Sequence, residues 1–150
     1  MFWSFKVKKF LRSDDLFELF DRQTIASFQD VRILSCQTRN FADSLNFSKF
    51  ETANLQLAVT EISTNILKYA EFGSVSSYGD SSSGEIKLLF KDNGPGIKFI
   101  ALAMIDGYTT FNEASLGLGL GAASRSVDRL ELSNRDSGGL RVCVVKKRKN

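Results

Sequence analysis

Three short groups of residues in this chain have types and spacings suited to chemistry. Glu61, Asn65 and Lys68 stand at i, i+4 and i+7 of an apolar periodic segment, so a helix would carry all three on one face. Asp92-Asn93-Gly94-Pro95-Gly96 follows a β-like run, and Gly117-Leu118-Gly119-Leu120-Gly121 opens a helix-like one. The Glu61 carboxylate can orient a hydroxyl or a water and accept its proton. The Asn65 carbonyl oxygen suits Mg²⁺, a hard ion that keeps several waters and bridges phosphates. Lys68 can offset phosphate charge. Asp92 in a tight turn can accept from an exocyclic amine, which would select adenine over guanine, and Gly94 and Gly96 leave room for a flat ligand. Backbone N–H groups of Gly117, Gly119 and Gly121 at a helix start are suited to phosphate. Together these imply a domain that binds ATP and Mg²⁺.

Each group alone has a plainer reading. An isolated ExxxNxxK is most simply an exposed helix face with a Glu–Lys contact, and DNGPG most simply a β-turn with Asx capping. The glycine group can be a loop that packs closely on a helix. It is not a P-loop, since no Gly-Lys-Ser/Thr follows. It is not a dinucleotide fingerprint either, for want of the strand–turn–helix opening of a βαβ unit. The order of the three groups carries the argument.

Composition narrows the field. The 150 residues, 43% hydrophobic and 25% charged, fit one globular domain with a full core, and 13 Phe make that core aromatic. No apolar run approaches the ~20 residues of a membrane helix, and Met1-Phe2-Trp3-Ser4-Phe5-Lys6 lacks the features of a signal peptide. The default location is therefore the cytoplasm, without membrane insertion. Cys36 and Cys143 form no CxxC pair and read as buried, reduced thiols. With no His, the chain has no Ser-His-Asp triad, no imidazole metal ligand and no histidine to carry a phosphoryl group. The net charge of +3 is concentrated in Lys6-Val7-Lys8-Lys9 and Lys146-Lys147-Arg148-Lys149, which read as solvated ends. No aromatic-basic groove pattern accompanies them, which disfavours nucleic acid.

The elements that must position these groups follow from periodicity and punctuation. Residues 1–22 form an N-terminal extension, a strand or a docking arm. Gln23-Thr24-Ile25-Ala26 predicts a short strand and Ser27 an N-cap. Val31, Leu34, Thr38, Phe41 and Leu45 predict one amphipathic helix. A second runs from about Lys49 to Ala70 on a stripe of Leu55, Val59, Ile62 and Ile66, with Gly73 as its C-cap. Strands are expected at Ser74–Tyr78 and Glu85–Lys91, a short helix at Phe99–Ile105 and a mobile loop at Gly107–Ser115. A helix over Leu118–Asp128 and strands at Arg129–Asn134 and Leu140–Lys146 complete the domain. Helices segregated from a mostly antiparallel sheet give an α+β fold, a two-layer α/β sandwich.

With those motifs in that order, residues 23–146 resemble the Bergerat-type (GHKL) ATP-binding fold of gyrase, MutL and histidine kinases. Within it the chain is most similar to the small anti-sigma-factor serine/threonine kinases of the RsbT/RsbW type. The resemblance rests on Glu61 to Ala70, on Asp92 to Ile97, and on Asp106-Gly107-Tyr108-Thr109-Thr110 before Leu116 to Gly121. The Asp-Gly-Tyr-Thr-Thr segment looks like the switch-kinase branch, whereas Lys68 is closer to the histidine-kinase form of its box. Carried over by residue, the resemblance implies Glu61 as catalytic base, Asn65 for Mg²⁺ and Asp92 for adenine. Gly94 and Gly96 would line the nucleotide, Thr110 would support it near the lid, and Gly117, Gly119 and Gly121 would approach the phosphates. It further implies phosphorylation of a Ser or Thr on a STAS-domain antagonist and binding of a PP2C-type phosphatase or sigma-factor regulator. Two alternatives stand beside this: a nucleotide-gated binding module without turnover, and an isolated histidine-kinase-like ATPase domain. An oligomer is compatible with any of them, and residues 147–150 are expected to form a basic tail.

Overall fold

In the computed structural model, residues 18–98 and 119–149 are described, with the side chains of 18–20 excepted. The expected helix at Phe99–Ile105 and the expected loop at Gly107–Ser115 lie outside them. Strand β1 (Glu18–Ile25) is followed by helices α1 (Phe28–Ser44) and α2 (Lys49–Tyr69), then β2 (Gly73–Asp80) and β3 (Glu85–Asp92). Helix α3 (Gly119–Ser126), β4 (Arg129–Asn134) and β5 (Leu140–Lys147) complete the order. The sheet runs β1-β2-β3-β5-β4 with every pairing antiparallel, and the helices pack against one of its faces. This is the two-layer α+β sandwich anticipated from the sequence. No described helix is long and apolar enough to cross a membrane.

Local signals explain where the helices begin. Ser27 caps α1, accepting from Asp30 N at 3.2 Å, while Asp30 reaches back to Ala26 N at 2.9 Å. Ser48 and Glu51 form a reciprocal capping box at the start of α2. The anticipated stripes are the buried ones, Val31, Leu34, Thr38 and Phe41 on α1 and Leu55, Val59, Ile62 and Ile66 on α2, except that Leu45 is the partly buried C-cap of α1. They meet Val75, Ile86, Leu88, Phe90, Val142 and Val144 from the sheet in one core.

Three expectations change. Strand β1 starts at Glu18 rather than Gln23, because β2 offers a partner as far as Gly79. Gly73 does not cap α2. The left-handed residue there is Glu71 at φ 63°, and Gly73 opens β2, where a Cβ would stand 2.6 Å from the Lys91 carbonyl. The glycine is required for close approach, not for a cap.

The third change concerns the basic C-terminal run, which is tied down through Lys146, Arg148 and the Lys149 amide, while the side chains of Lys147 and Lys149 stay exposed. Lys146 is buried and its Nζ donates to Ser126 O at 3.0 Å, at the C-terminal end of α3. Arg148 donates from its guanidinium to Leu45 O, the C-cap of α1, at 2.6 Å, and from its backbone to Gly84 O at 2.8 Å. Cations at helix C-termini satisfy orphan carbonyls and oppose the helix dipole. The Lys149 amide donates to Glu51 Oε1 at 2.7 Å, which joins the chain end to the start of α2.

Burial opposes the charge on Glu51, but the Lys149 and Ser48 amides, with the Lys146 ammonium nearby, hold its carboxyl below the ordinary 4.5. A carboxyl depressed in the fold contributes stability above its unfolded value and loses it as pH falls through the lower folded value. Glu51→Gln is therefore expected to lower the urea midpoint at pH 7, with the gap to wild type closing as pH falls below 4.5. An unchanged gap in acid would contradict the charged role of Glu51.

Candidate functional site

Helix α2 is the spine of the site. Its core stripe leaves Glu61 and Asn65 half-buried at the edge, with Lys68 exposed one turn further on. Helix α3 reaches that edge through a residue without a side chain. A Cβ on Gly119 would stand 2.8 Å from Glu61 Oε2 and 3.6 Å from both Asn65 Oδ1 and Nδ2. The first and third motifs, more than fifty positions apart, thus meet at the start of α3, with Gly121 buried one turn in. Thr110 and Gly117 lie outside the described residues.

The second motif is fastened to the far end of the same helix. With its carboxamide nitrogen toward α2, Asn93 donates to the carbonyls of Ala70 and Phe72 at 3.1 Å each. A Cβ on Gly94 would stand 2.7 Å from Ala70 Cβ and 2.9 Å from Tyr69 O, and one on Gly96, at φ 74°, would strike the Asn134 side chain. On the side where their side chains would be, these glycines admit close contacts with α2 and with Asn134.

Asp92 is 9% exposed at the end of β3. Its Oδ1 accepts from Gly94 N and from Leu140 N, both at 3.0 Å. The Asx turn expected of this motif therefore exists, and it uses one carboxylate oxygen. No hydrogen bond to Oδ2 is formed among the described residues. Among the described residues the carboxylate is thus held through Oδ1 alone.

Much of that fixation comes from the β4–β5 hairpin, whose two strands are expected from the sequence but whose contacts with the Asp92 loop are not. Arg135 donates to Asp92 O at 2.6 Å. Asn134 forms a two-way clasp with Ile97, accepting from its N–H at 2.8 Å and donating to its carbonyl at 2.7 Å. Gly139, at φ 92°, lies so close under Asp92 that a Cβ would meet its carbonyl. The one signal available was the Gly138-Gly139 doublet. Gly138 has open space around it and serves the turn, whereas Gly139 serves the contact.

No family model matches the chain. The chain is 31% identical over 110 residues to the serine/threonine-protein kinase RsbT of Bacillus subtilis, covering 72% of this chain and 81% of that protein. It belongs to the RsbT-like switch-kinase family of the Bergerat fold. Solved structures agree on the fold. The SiaB–SiaC complex from Pseudomonas aeruginosa matches with TM-score 0.59 at 12% identity, over 85% of this chain and 89% of that one. The mycobacterial sensor histidine kinase MprB matches with TM-score 0.55 at 17% identity, and the nucleotide-free catalytic domain of histidine kinase ThkA with 0.55 at 12%. Each of these two comparisons covers 86% of this chain and 97% of the other. Nucleotide use follows from membership of this RsbT-like family.

Two substitutions separate the site from the fold. Gly119→Ala displaces only the tip of Glu61, so stability is expected to change by no more than about 1 kcal/mol, whereas nucleotide affinity falls measurably in calorimetry. Asn134→Ala removes the Ile97 clasp, at a cost of about 1–2 kcal/mol in urea unfolding, and should weaken nucleotide binding by loosening the Asp92 loop.

Proposed function

We propose that this chain is a Mg·ATP-dependent protein serine/threonine kinase of a partner-switching module. The observation that carries the reading is the approach of Gly119 to Glu61 and Asn65, which puts a carboxylate, a carboxamide and a helix N-terminus at one point. In this reading the Asp92 Oδ2 accepts from the adenine amine, since Oδ1 is committed to Gly94 and Leu140. Asn65 holds Mg²⁺, and Gly117, Gly119 and Gly121 offer backbone N–H groups to the phosphates. Thr110 supports the nucleotide, Gly94 and Gly96 line it through their backbone, and Lys68 offsets charge. The described residues contain no cluster of three acidic, His or Cys ligands. A single carboxamide fits a metal that draws its other ligands from phosphate and water, and that metal would neutralise charge developing on the transferred group.

Glu61 accepts the proton of the substrate hydroxyl as that oxygen bonds to the γ-phosphorus. The bond from phosphorus to the β–γ bridging oxygen breaks, and ADP leaves. Positioning and charge stabilisation supply most of such a reaction, so a sparse set of side chains suffices. The phosphoacceptor is a Ser or Thr on a STAS-domain protein, with a PP2C-type phosphatase or sigma-factor regulator as second partner and the cytoplasm as location. The family relationship to RsbT supports this choice. A pure binding module has no need of a carboxylate held against the helix start, which favours turnover.

Calorimetric titration of Mg·ATP is the first test. Asp92→Asn should weaken binding by about tenfold to a hundredfold, the worth of a charged acceptor. Glu61→Ala should retain ATP and partner binding but lose about 10²–10⁴ in phosphoryl transfer. Unchanged signalling by Glu61→Ala would favour the binding module, and an acid-labile phosphoprotein product would favour a histidine-kinase activity.

A further inference from the structure

Helix α3 starts beside Glu61 and Asn65 and ends beside Glu51 and Asn54, so it runs back along α2 and the two helices meet at both ends. At the second meeting they and the end of β5 enclose an open cleft of about 430 Å³. That is the size of a small-molecule site. Phe50, Asn54, Arg125, Lys146 and Lys149 are among its walls. Asn54 precedes Glu61 by about two helical turns, roughly 10 Å along the axis. The cleft is therefore separate from the site built on Glu61 and Asp92.

Its charges are arranged for an anion. Lys146 is only 6% exposed. Among the described residues its ammonium makes one hydrogen bond, to Ser126 O at 3.0 Å, and no ion pair. An ammonium has three donors, and burying a charge without a counter-charge in contact is costly. Two N–H groups of a buried cation are thus left for whatever enters the cleft. Two carboxylates share the walls, and both are turned to backbone amides. Glu51 accepts from Ser48 N at 2.8 Å on one oxygen and from Lys149 N at 2.7 Å on the other. Asp128 accepts from Lys147 N at 2.7 Å. Arg125 and Lys149, both exposed, complete a set of cations drawn from α3 and the chain end. The first turn of α2 adds the N–H groups of Lys49 and Phe50, which have no acceptor within the helix. The Phe50 ring is 77% exposed and offers an aromatic face at the rim of a largely polar cleft.

Donors converging from two helices and a strand suit a group with oxygens on several sides. A phosphate monoester has three terminal oxygens and close to two charges, whereas a carboxylate has two oxygens and one charge. An apolar or aromatic body on the same ligand would rest on Phe50. We propose that the cleft between the start of α2, the end of α3 and the end of β5 binds a small organic phosphate monoester, its phosphate held by Lys146, Arg125 and Lys149 and its body laid against Phe50. The assignment is independent of the phosphoryl-transfer reading.

Phenyl phosphate is the probe, titrated into the full chain while backbone amide shifts are followed by NMR. Shifts are expected at Lys49, Phe50, Ser126, Val127, Asp128 and Lys149, and not at Gly119. Replacing Arg125→Gln and Lys149→Gln together, both on the surface, should weaken binding by about tenfold. Phe50→Ala should weaken phenyl phosphate several-fold and leave inorganic phosphate unchanged. Asp92→Asn should leave both probes unchanged, which separates this cleft from the nucleotide site. Absence of shifts in the named amides of the parent chain would overturn the proposal, and that reading needs no variant to fold. Equal affinity in the double variant, or benzoate bound as tightly as phenyl phosphate, would overturn it too. Displacement of the probe by Mg·ATP in the parent but not in Asp92→Asn would do the same, by assigning the phosphate to the nucleotide site.

Discussion

The approach of α3 to α2 at Gly119 is the constraint on which the site depends. Two helices can meet with a carboxylate and a carboxamide between them only if one presents bare backbone. A Cβ at Gly119 would press on Glu61 Oε2 and come into ordinary contact with Asn65. The glycine therefore lets α3 come close to the polar edge of α2, where Glu61 and Asn65 stand. Glu61 and Asn65 are in turn half-buried because Ile62 and Ile66, their neighbours in sequence, belong to the core stripe of α2.

A second constraint is the accounting of backbone polar groups around Asp92. The chain leaves β3 and passes the end of α2, where the helix has orphan carbonyls. Asn93 takes those of Ala70 and Phe72, the Asp92 carboxylate takes two amides, and the hairpin returns Arg135 and Asn134 to the loop. These bonds fix the Asp92 carboxylate through Oδ1 and hold the backbone around it. Such preorganisation is what recognition of a flat base requires.

The chain end extends the same economy to the other side of the molecule. Lys146 and Arg148 each stand at a helix C-terminus, and Glu51 joins the Lys149 amide to the first turn of α2. The helix that bears Glu61 and the helix that bears Gly119 are thus both held from the strand β5 side, through Glu51 and Ser126. A basic run that reads as a solubilising tail becomes part of the framework because the helix ends need cations where β5 finishes.

How far the sequence could be read depended on the range of each interaction. Periodicity located the helices and their buried stripes, and Ser27 and Ser48 marked where they begin, because caps and stripes are set by residues within a turn or two. The three motifs announced the chemistry because residue type and spacing carry it. Gly73, Glu71 and the roles of Gly94 and Gly96 were not legible, since each depends on what stands opposite: Lys91, Ala70 or Asn134. The Asn134–Arg135–Gly139 clamp was hidden for the same reason, its partners being some forty residues away. Local sequence alone determined the elements, the candidate chemical groups and the two-layer class. Only tertiary structure decided that Gly119 meets Glu61, that Asp92 is held through Oδ1 and that Lys146 and Arg148 are tied to helix ends, because contacts between distant residues are chosen by packing and hydrogen-bond satisfaction across the whole fold.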